Sequence, residues 1–195
     1  YHFSAHSLLS SAIATWPEAP TVLLREHYRC HPKIINFCNQ KFYGGKLIVM
    51  TEDHEEPDVL TMYRTAPGNH ARGHLNQRQI DVIRQEVLPS LARQGYGSIG
   101  IITPYRDQVA AIQTQLGKNL EVATVHKFQG REKDAIILTS VDNVITDFVD
   151  DPRMLNVAVS RAVKSLTVIT SQDPQNDRTN YGDLARYIEY NNCAV

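Results

Sequence analysis

The chain has 195 residues, 42% hydrophobic and 21% charged, enough apolar content for one globular domain with a sizeable core. Its 20 lysines and arginines stand against 21 aspartates and glutamates, a net charge of −1, so the overall balance does not advertise a nucleic-acid partner. This leaves open a protein that grips a single strand in a local groove of donors. No apolar run approaches a membrane span and no charged-then-apolar leader opens the sequence, so no membrane association is expected. Cys30, Cys38 and Cys193 are odd in number and lack C-x-x-C spacing, which points to a reduced, intracellular setting. A start at Tyr1 rather than methionine is what an excised piece or processed product would show.

Ser7 to Ala14 is compatible with a short helix, within a leading segment that ends near residue 20. Thr21 to Leu24 is a strand candidate, followed by a helix from near Pro32 with Ile34, Cys38 and Phe42 on one face. The acidic run Glu52, Asp53, Glu55, Glu56 and Asp58 reads as a solvated loop. A strand around Val59 to Tyr63 precedes a long helix with the stripe Ile80, Ile83, Val87, Leu88 and Leu91. Ser98 to Thr103 is a buried-strand pattern, and Val109, Ile112 and Leu116 then recur at helical spacing. In Thr103-Pro104-Tyr105-Arg106-Asp107, Thr103 is expected to cap a helix beginning at Pro104, whose free amides could hold a phosphate. Leu120 to Thr124 and Ala135 to Val141 read as strands, and Pro152 to Ala162 as a helix capped by Asp151. Leu166 to Thr170 is a further strand, and Leu184 to Tyr190 a closing helix. Such alternation predicts one α/β domain with a parallel sheet covered by helices on both faces, its core spanning residues 21–195.

The most informative stretch is Val122-Ala-Thr-Val-His-Lys-Phe-Gln-Gly-Arg-Glu-Lys-Asp134, a polar turn between strand-like segments. Gly130 sits in it where the backbone must bend or approach a ligand closely, amid Gln129, Glu132, Lys127, Arg131 and Lys133. This stretch resembles motif V of superfamily 1 helicases. Leu24-Arg-Glu-His-Tyr-Arg-Cys-His-Pro32 and Leu155-Asn-Val-Ala-Val-Ser-Arg-Ala162 resemble motifs IV and VI of the same family, in the right order. Ile99-Gly-Ile-Ile-Thr-Pro-Tyr105 extends the likeness, and the pattern is similar to the branch that contains the nonsense-mediated-decay helicase. Two positions depart from the family form: His126 stands where aspartate is usual, and Cys30 where methionine is common.

The resemblance implies the second of two RecA-like domains, starting after motif III. It implies ATP and magnesium held mainly by the first domain, which would be a partner within the same protein, and single-stranded DNA or RNA as substrate. Arg29 and Arg161 would be the arginine fingers that stabilise charge on the γ-phosphate, a role typically worth on the order of 10³ or more in rate. Tyr28 would lie against the base, and Glu132 would accept from the ribose hydroxyls. Gln129 and Gly130 would couple the nucleotide edge to the nucleic-acid edge, where Thr103, Pro104, Tyr105, Thr124 and His126 would meet the strand. Plainer roles stay open: a half-buried core tyrosine at Tyr28, and a salt bridge from Glu132 to Arg131 or Lys133.

A complete phosphate-binding loop, G-x-x-x-x-G-K-[ST], is missing; Gly44-Gly45-Lys46-Leu47 is the nearest approach. No Asp-Glu pair ends an apolar strand. This chain alone is therefore expected to be inactive on ATP. His27, Cys30 and His31 invite a metal, but Pro32 disfavours a helix through them and no further ligand pair follows, so no metal site is expected and His31 reads as a cap or core residue. The competing reading is a non-catalytic nucleic-acid or protein-binding module on a helicase-like scaffold. A nuclease would need clustered acidic ligands, whereas Asp147, Asp150 and Asp151 read as a loop and a cap.

Overall fold

The computed structural model describes residues 7–68, 71–171 and 178–192. Its centre is a five-stranded, all-parallel sheet of β3 (Leu60–Arg64), β9 (Ala162–Thr170), β8 (Lys133–Thr139), β6 (Ile99–Thr103) and β7 (Glu121–Thr124), in that spatial order. β6 and β8 carry continuous apolar runs because both faces are covered. Alternation splits them cleanly. Ile102, Ile136, Leu138, Leu166 and Val168 enter one core with α2 (Pro32–Phe42), α6 (Val125–Phe128), α7 (Pro152–Val159) and α8 (Asn180–Asn192). Ile101, Val122, Ala135, Ile137 and Ile169 enter the other, beneath α3 (Gln77–Val82), a π turn at Ile83–Val87, α4 (Leu88–Gln94) and α5 (Arg106–Leu116). Two small pairs lie outside the main sheet: β1 (Glu26–His27) with β2 (Ile48–Val49), and β4 (Ala71–Arg72) with β5 (Leu75–Asn76).

The helix boundaries follow local chemistry. α2 starts at Pro32 with His31 as its cap, the imidazole Nδ1 accepting from the Lys33 amide at 3.1 Å. It stops where Gly44 and Gly45 take φ of 59° and 74°, and the Gly45 amide donates back to the Asn39 carbonyl. The Gly44-Gly45-Lys46 string is thus a helix stop, not a phosphate cradle. Asp151 caps α7 as expected, accepting from the Arg153 and Met154 amides at 2.8 and 3.0 Å. The π turn widens the helix just before Pro89, which has no amide to donate and would otherwise press on the preceding turn. The expected stripe Ile80, Ile83, Val87 and Leu91 is buried nonetheless, with Leu88 packed at its edge.

Several expectations need correction. Thr21 to Leu24 forms no strand: it lies beside no sheet, with Val22 and Leu24 82% and 87% exposed, and pairing begins only at Glu26. A continuous apolar run becomes a buried strand only when a sheet covers it on both sides. The leading helix is present as α1 (Leu8–Thr15), capped by the Ser7 hydroxyl, yet it buries none of its residues. The polar turn after Thr124 contains a short helix, α6, and α7 ends at Val159 because Ala162 already belongs to β9. Asp53 and Glu56 are not purely solvated: His31 Nε2 lies 3.4 and 3.2 Å from their carboxylates, and Lys33 Nζ lies 3.4 Å from Asp53. Cys193 falls outside the described residues. No helix among the described residues is long and apolar enough to cross a membrane.

Candidate functional site

Motifs IV, V and VI meet at the amino ends of β8 and β9. The His31 amide donates to the Val163 carbonyl at 2.7 Å, and the Cys30 thiol to the Ser160 carbonyl at 3.4 Å. The Lys133 amide donates to the Arg161 carbonyl at 3.1 Å. Tyr28 and Arg29 are thereby held on the surface beside Glu132. Arg29 Nε lies 2.6 Å from Glu132 Oε2, and the two side chains stay 40% and 55% exposed. Tyr28 is 66% exposed, its hydroxyl donating to Glu26, so it is not a core residue. With His27 and Val163 these residues line a cleft of ≈ 520 Å³.

Glu132 pairs with neither of its chain neighbours. Arg131 and Lys133 both turn to Glu121, at 2.8 and 2.7 Å, and those two bonds hold its carboxyl below the usual glutamate range. In an extended segment successive side chains point to opposite faces, which sends Glu132 to the Arg29 side. Arg161 approaches the same place from motif VI. Its guanidinium donates to the carbonyls of Val157 and Arg131 at 3.1 and 3.4 Å and to the Ser160 hydroxyl at 3.2 Å. Partial burial, and then the Arg29 charge, lower its pKa. Arg29 is thus ion-paired to Glu132, while the Arg161 guanidinium nearby is held by two carbonyls and a hydroxyl.

Burial pushes the Cys30 thiol up to about 11, so it stays protonated there. His27 is also spoken for, since its Nε2 accepts from the Cys30 amide at 2.9 Å. Burial, with Arg29 adding to it, keeps that imidazole below its ordinary range. Among the described residues, the one group with metal-ligand proximity is His31, Asp53 and Glu56, whose ligand atoms lie within 4.8 Å of one another. His31 fits a cation there poorly. A metal on Nε2 of a neutral imidazole leaves the remaining proton on Nδ1, and that nitrogen already accepts the Lys33 amide.

A second cleft, of ≈ 400 Å³, opens at the opposite, carboxyl end of β6 and β7. It is lined by Pro104, Tyr105, Thr124 and His126 from the expected set, and by Arg106, Asp107, Lys127, His74 and Phe148. His74 and Phe148 were missed by sequence reasoning. An aromatic inside the polar stretch Asp147 to Asp151 was the available signal for Phe148; His74 gave none. Thr103 does not cap α5. The helix begins at Arg106 with Tyr105 at its cap position and no side-chain cap, while strand alternation turns Thr103 fully inward. Its hydroxyl is buried without a partner, and Thr103 lines neither cleft. Asp107 is in the first turn, as expected.

Motif V joins the two clefts. It leaves β7 at Thr124, runs back across the sheet through α6, and enters β8 at Lys133. Phe128 is its buried anchor, seated on Gly100, where an added Cβ would lie 2.6 Å from Phe128 Cζ. Gly130 takes φ of 80°, a left-handed conformation that suits glycine, and reverses the chain toward Glu132. Gln129 and Gly130 are exposed on this crossing and line neither cleft.

Comparison with known proteins identifies the family. Residues 4–173 match the family model described as an AAA domain. The chain is 29% identical to the 5'-3' DNA helicase ZGRF1 of Mus musculus over 86% of its length, and 27% identical to the Regulator of nonsense transcripts 1 homolog of Arabidopsis thaliana over 89%. It is 33% identical over 73% of its length to the ATP-dependent helicase upf1 of Schizosaccharomyces pombe. It spans only 10%, 16% and 19% of those three proteins. Among solved structures, the C-terminal domain of a possible DNA helicase from Lactobacillus plantarum WCFS1 is similar in fold, with a TM-score of 0.52, 15% identity, 73% of this chain and 86% of that one covered. The chain belongs to this AAA domain family, as a RecA-like superfamily 1 helicase domain related to the branch of the nonsense-mediated-decay helicase.

Proposed function

We propose that this chain is the second motor domain of an ATP-dependent helicase, supplying two arginine fingers to ATP held by a first RecA-like domain and part of the surface that grips a single strand. The observation that carries the reading is that the loops of motifs IV, V and VI bring the exposed Arg29, paired with Glu132, and the half-buried Arg161, bonded to the Arg131 carbonyl, to one end of the sheet. Such an arrangement leaves one positive charge uncompensated and two planar donors side by side, which suits a phosphate whose oxygens gain charge during transfer.

When the domains close, Arg29 would exchange Glu132 for the γ-phosphate, freeing that carboxylate to accept from ribose hydroxyls. The exposed ring of Tyr28 would lie against the base. Magnesium belongs with the first domain: of the carboxylates in this cleft, Glu132 is paired with Arg29 and Glu26 accepts from Tyr28. Water attack on the γ-phosphorus, with loss of the bond to the bridging oxygen, would then proceed against fixed guanidiniums. Domain opening after release would advance the protein along the strand lying over Pro104, Tyr105, Thr124 and His126.

The test is Arg161→Ala in the full-length protein. Turnover is expected to fall by about 10³ with little change in KM, and Arg161→Lys to rescue poorly, since a point charge cannot reproduce a planar fork. Normal turnover in both arginine variants, with strand binding retained, would instead favour a non-catalytic binding module. Residues 1–195 alone are expected to turn over ATP at background.

A further inference from the structure

Three rings stack at the carboxyl-end cleft. His74 and Tyr105 lie 4.1 Å apart between centroids with planes 28° apart, and Tyr105 and Phe148 lie 5.7 Å apart with planes 22° apart. Tyr105 is thus the ring in contact with both of the others. The Tyr105 hydroxyl is tied to Asp142 Oδ2 at 2.7 Å. With two rings against it, its side chain partly buried and its hydroxyl engaged, Tyr105 is the less available ring. Phe148 is the more open one, 52% exposed.

An apolar ring left half in water gains little for folding, and here the loop that carries it is well anchored. Its neighbours Ile145 and Val149 are buried, and the Asp150 amide donates to the Thr146 carbonyl at 2.9 Å. The ring is thus pre-positioned, so a ligand stacking on it need not meet the cost of ordering it. Around it stand Arg106, His126 and Lys127, the donors that phosphates require.

We propose that Phe148, backed by Tyr105 and His74, is a stacking platform on which one nucleobase of the bound single strand rests, with Arg106 and Lys127 meeting the adjoining phosphates. Recognition of this kind takes any base, because every base has a π face. The inference rests on reading this cleft as the nucleic-acid surface, and it adds His74 and Phe148 to that surface while assigning Tyr105 a supporting role.

The experiment measures binding of the full-length protein to a short oligothymidylate, and to the same strand made abasic, at fixed salt. Phe148→Ala is expected to weaken binding to the intact strand about ten-fold. Phe148→Leu should resemble it, and Phe148→Trp should bind at least as tightly as the parent. On the abasic strand all four proteins should bind alike, an outcome that a merely structural role for Phe148 would not produce. If Phe148→Ala unfolds, the leucine and tryptophan variants decide the matter. Parent-like binding by Phe148→Leu, with a paired Arg106→Ala and Lys127→Ala variant still weakened, would overturn the platform and leave the cleft as a phosphate track. Parent-like binding by every variant would overturn the platform together with the reading of the cleft.

Discussion

Replacing Gly100 with alanine would put a methyl carbon 2.6 Å from Phe128 Cζ, 2.9 Å from Lys133 Cγ and 3.0 Å from Ile136 Cδ1. Comfortable carbon–carbon separation is about 3.5–4.0 Å, so the Phe128 contact is about 1 Å too short. Lys133 can swing aside, but Phe128 and Ile136 are fully buried and have nowhere to go. Overpacking of this kind costs about 1–3 kcal/mol, offset by about 0.5–1 kcal/mol for removing a glycine from a strand. The expected net loss is therefore about 1–2 kcal/mol, read as a lower urea midpoint at unchanged slope. Phe128→Leu removes the offending ring carbon. Although it is destabilising alone, the double variant should be more stable than the sum of the two losses by about 1 kcal/mol. Because Phe128 anchors motif V, ATP turnover by full-length Gly100→Ala should also fall. A neutral Gly100→Ala, or strict additivity with Phe128→Leu, would refute the claim that this glycine exists to seat motif V on the sheet.

Arg29→Ala should barely move the thermal midpoint, because a surface pair this exposed contributes about 0–1 kcal/mol, yet it should cut ATP turnover of the full-length protein sharply. Thr103→Val should raise or preserve the urea midpoint, since it removes a buried hydroxyl that has no partner, and should leave strand binding unchanged; a fall of about 1 kcal/mol would restore the capping role. His27 has its pKa lowered in the folded state by burial and by Arg29, so the unfolded chain takes up a proton that the native one refuses. Stability present at neutral pH should be lost as pH falls from the ordinary histidine value of about 6.5 toward the native value, and urea midpoints across that range should fall less steeply in His27→Gln.

The alternation of strands and helices was legible because buried parallel strands and one-sided helices carry different periods, and the sheet follows that reading from β3 to β9. Tyr28 and Arg29 from one motif string and Glu132 from another line one cleft in the structure. Local chemistry misled at Thr103, where Thr-Pro looks like a cap. The strand pattern already reached Thr103, and in a strand covered on both faces that side chain is buried rather than free to cap. The plainer alternative at Glu132, a salt bridge to an adjacent cation, is not what forms, because both cations face the opposite side and find Glu121. His74 and Phe148 reach Tyr105 from distant segments, a meeting no local pattern encodes. Thr21 to Leu24 has the composition of a covered strand, and its exposure reflects the absence of a neighbouring sheet rather than any weakness of the pattern.

On the proposed reading of the two clefts, the crossing of motif V would act as a lever with its fulcrum inside the core. One arm ends at Thr124 beside the aromatic cleft, and the other at Glu132 and the Arg131 carbonyl that receives the Arg161 guanidinium. Phe128 on Gly100 is the pivot, closely packed and fully dry. A rigid pivot lets a small tilt at one arm reappear at the other, whereas a compliant one would absorb it in side-chain rearrangement. In a motor built this way, loosening the pivot should uncouple the ends before either fails: nucleotide turnover and strand binding would each persist, but neither would respond to the other.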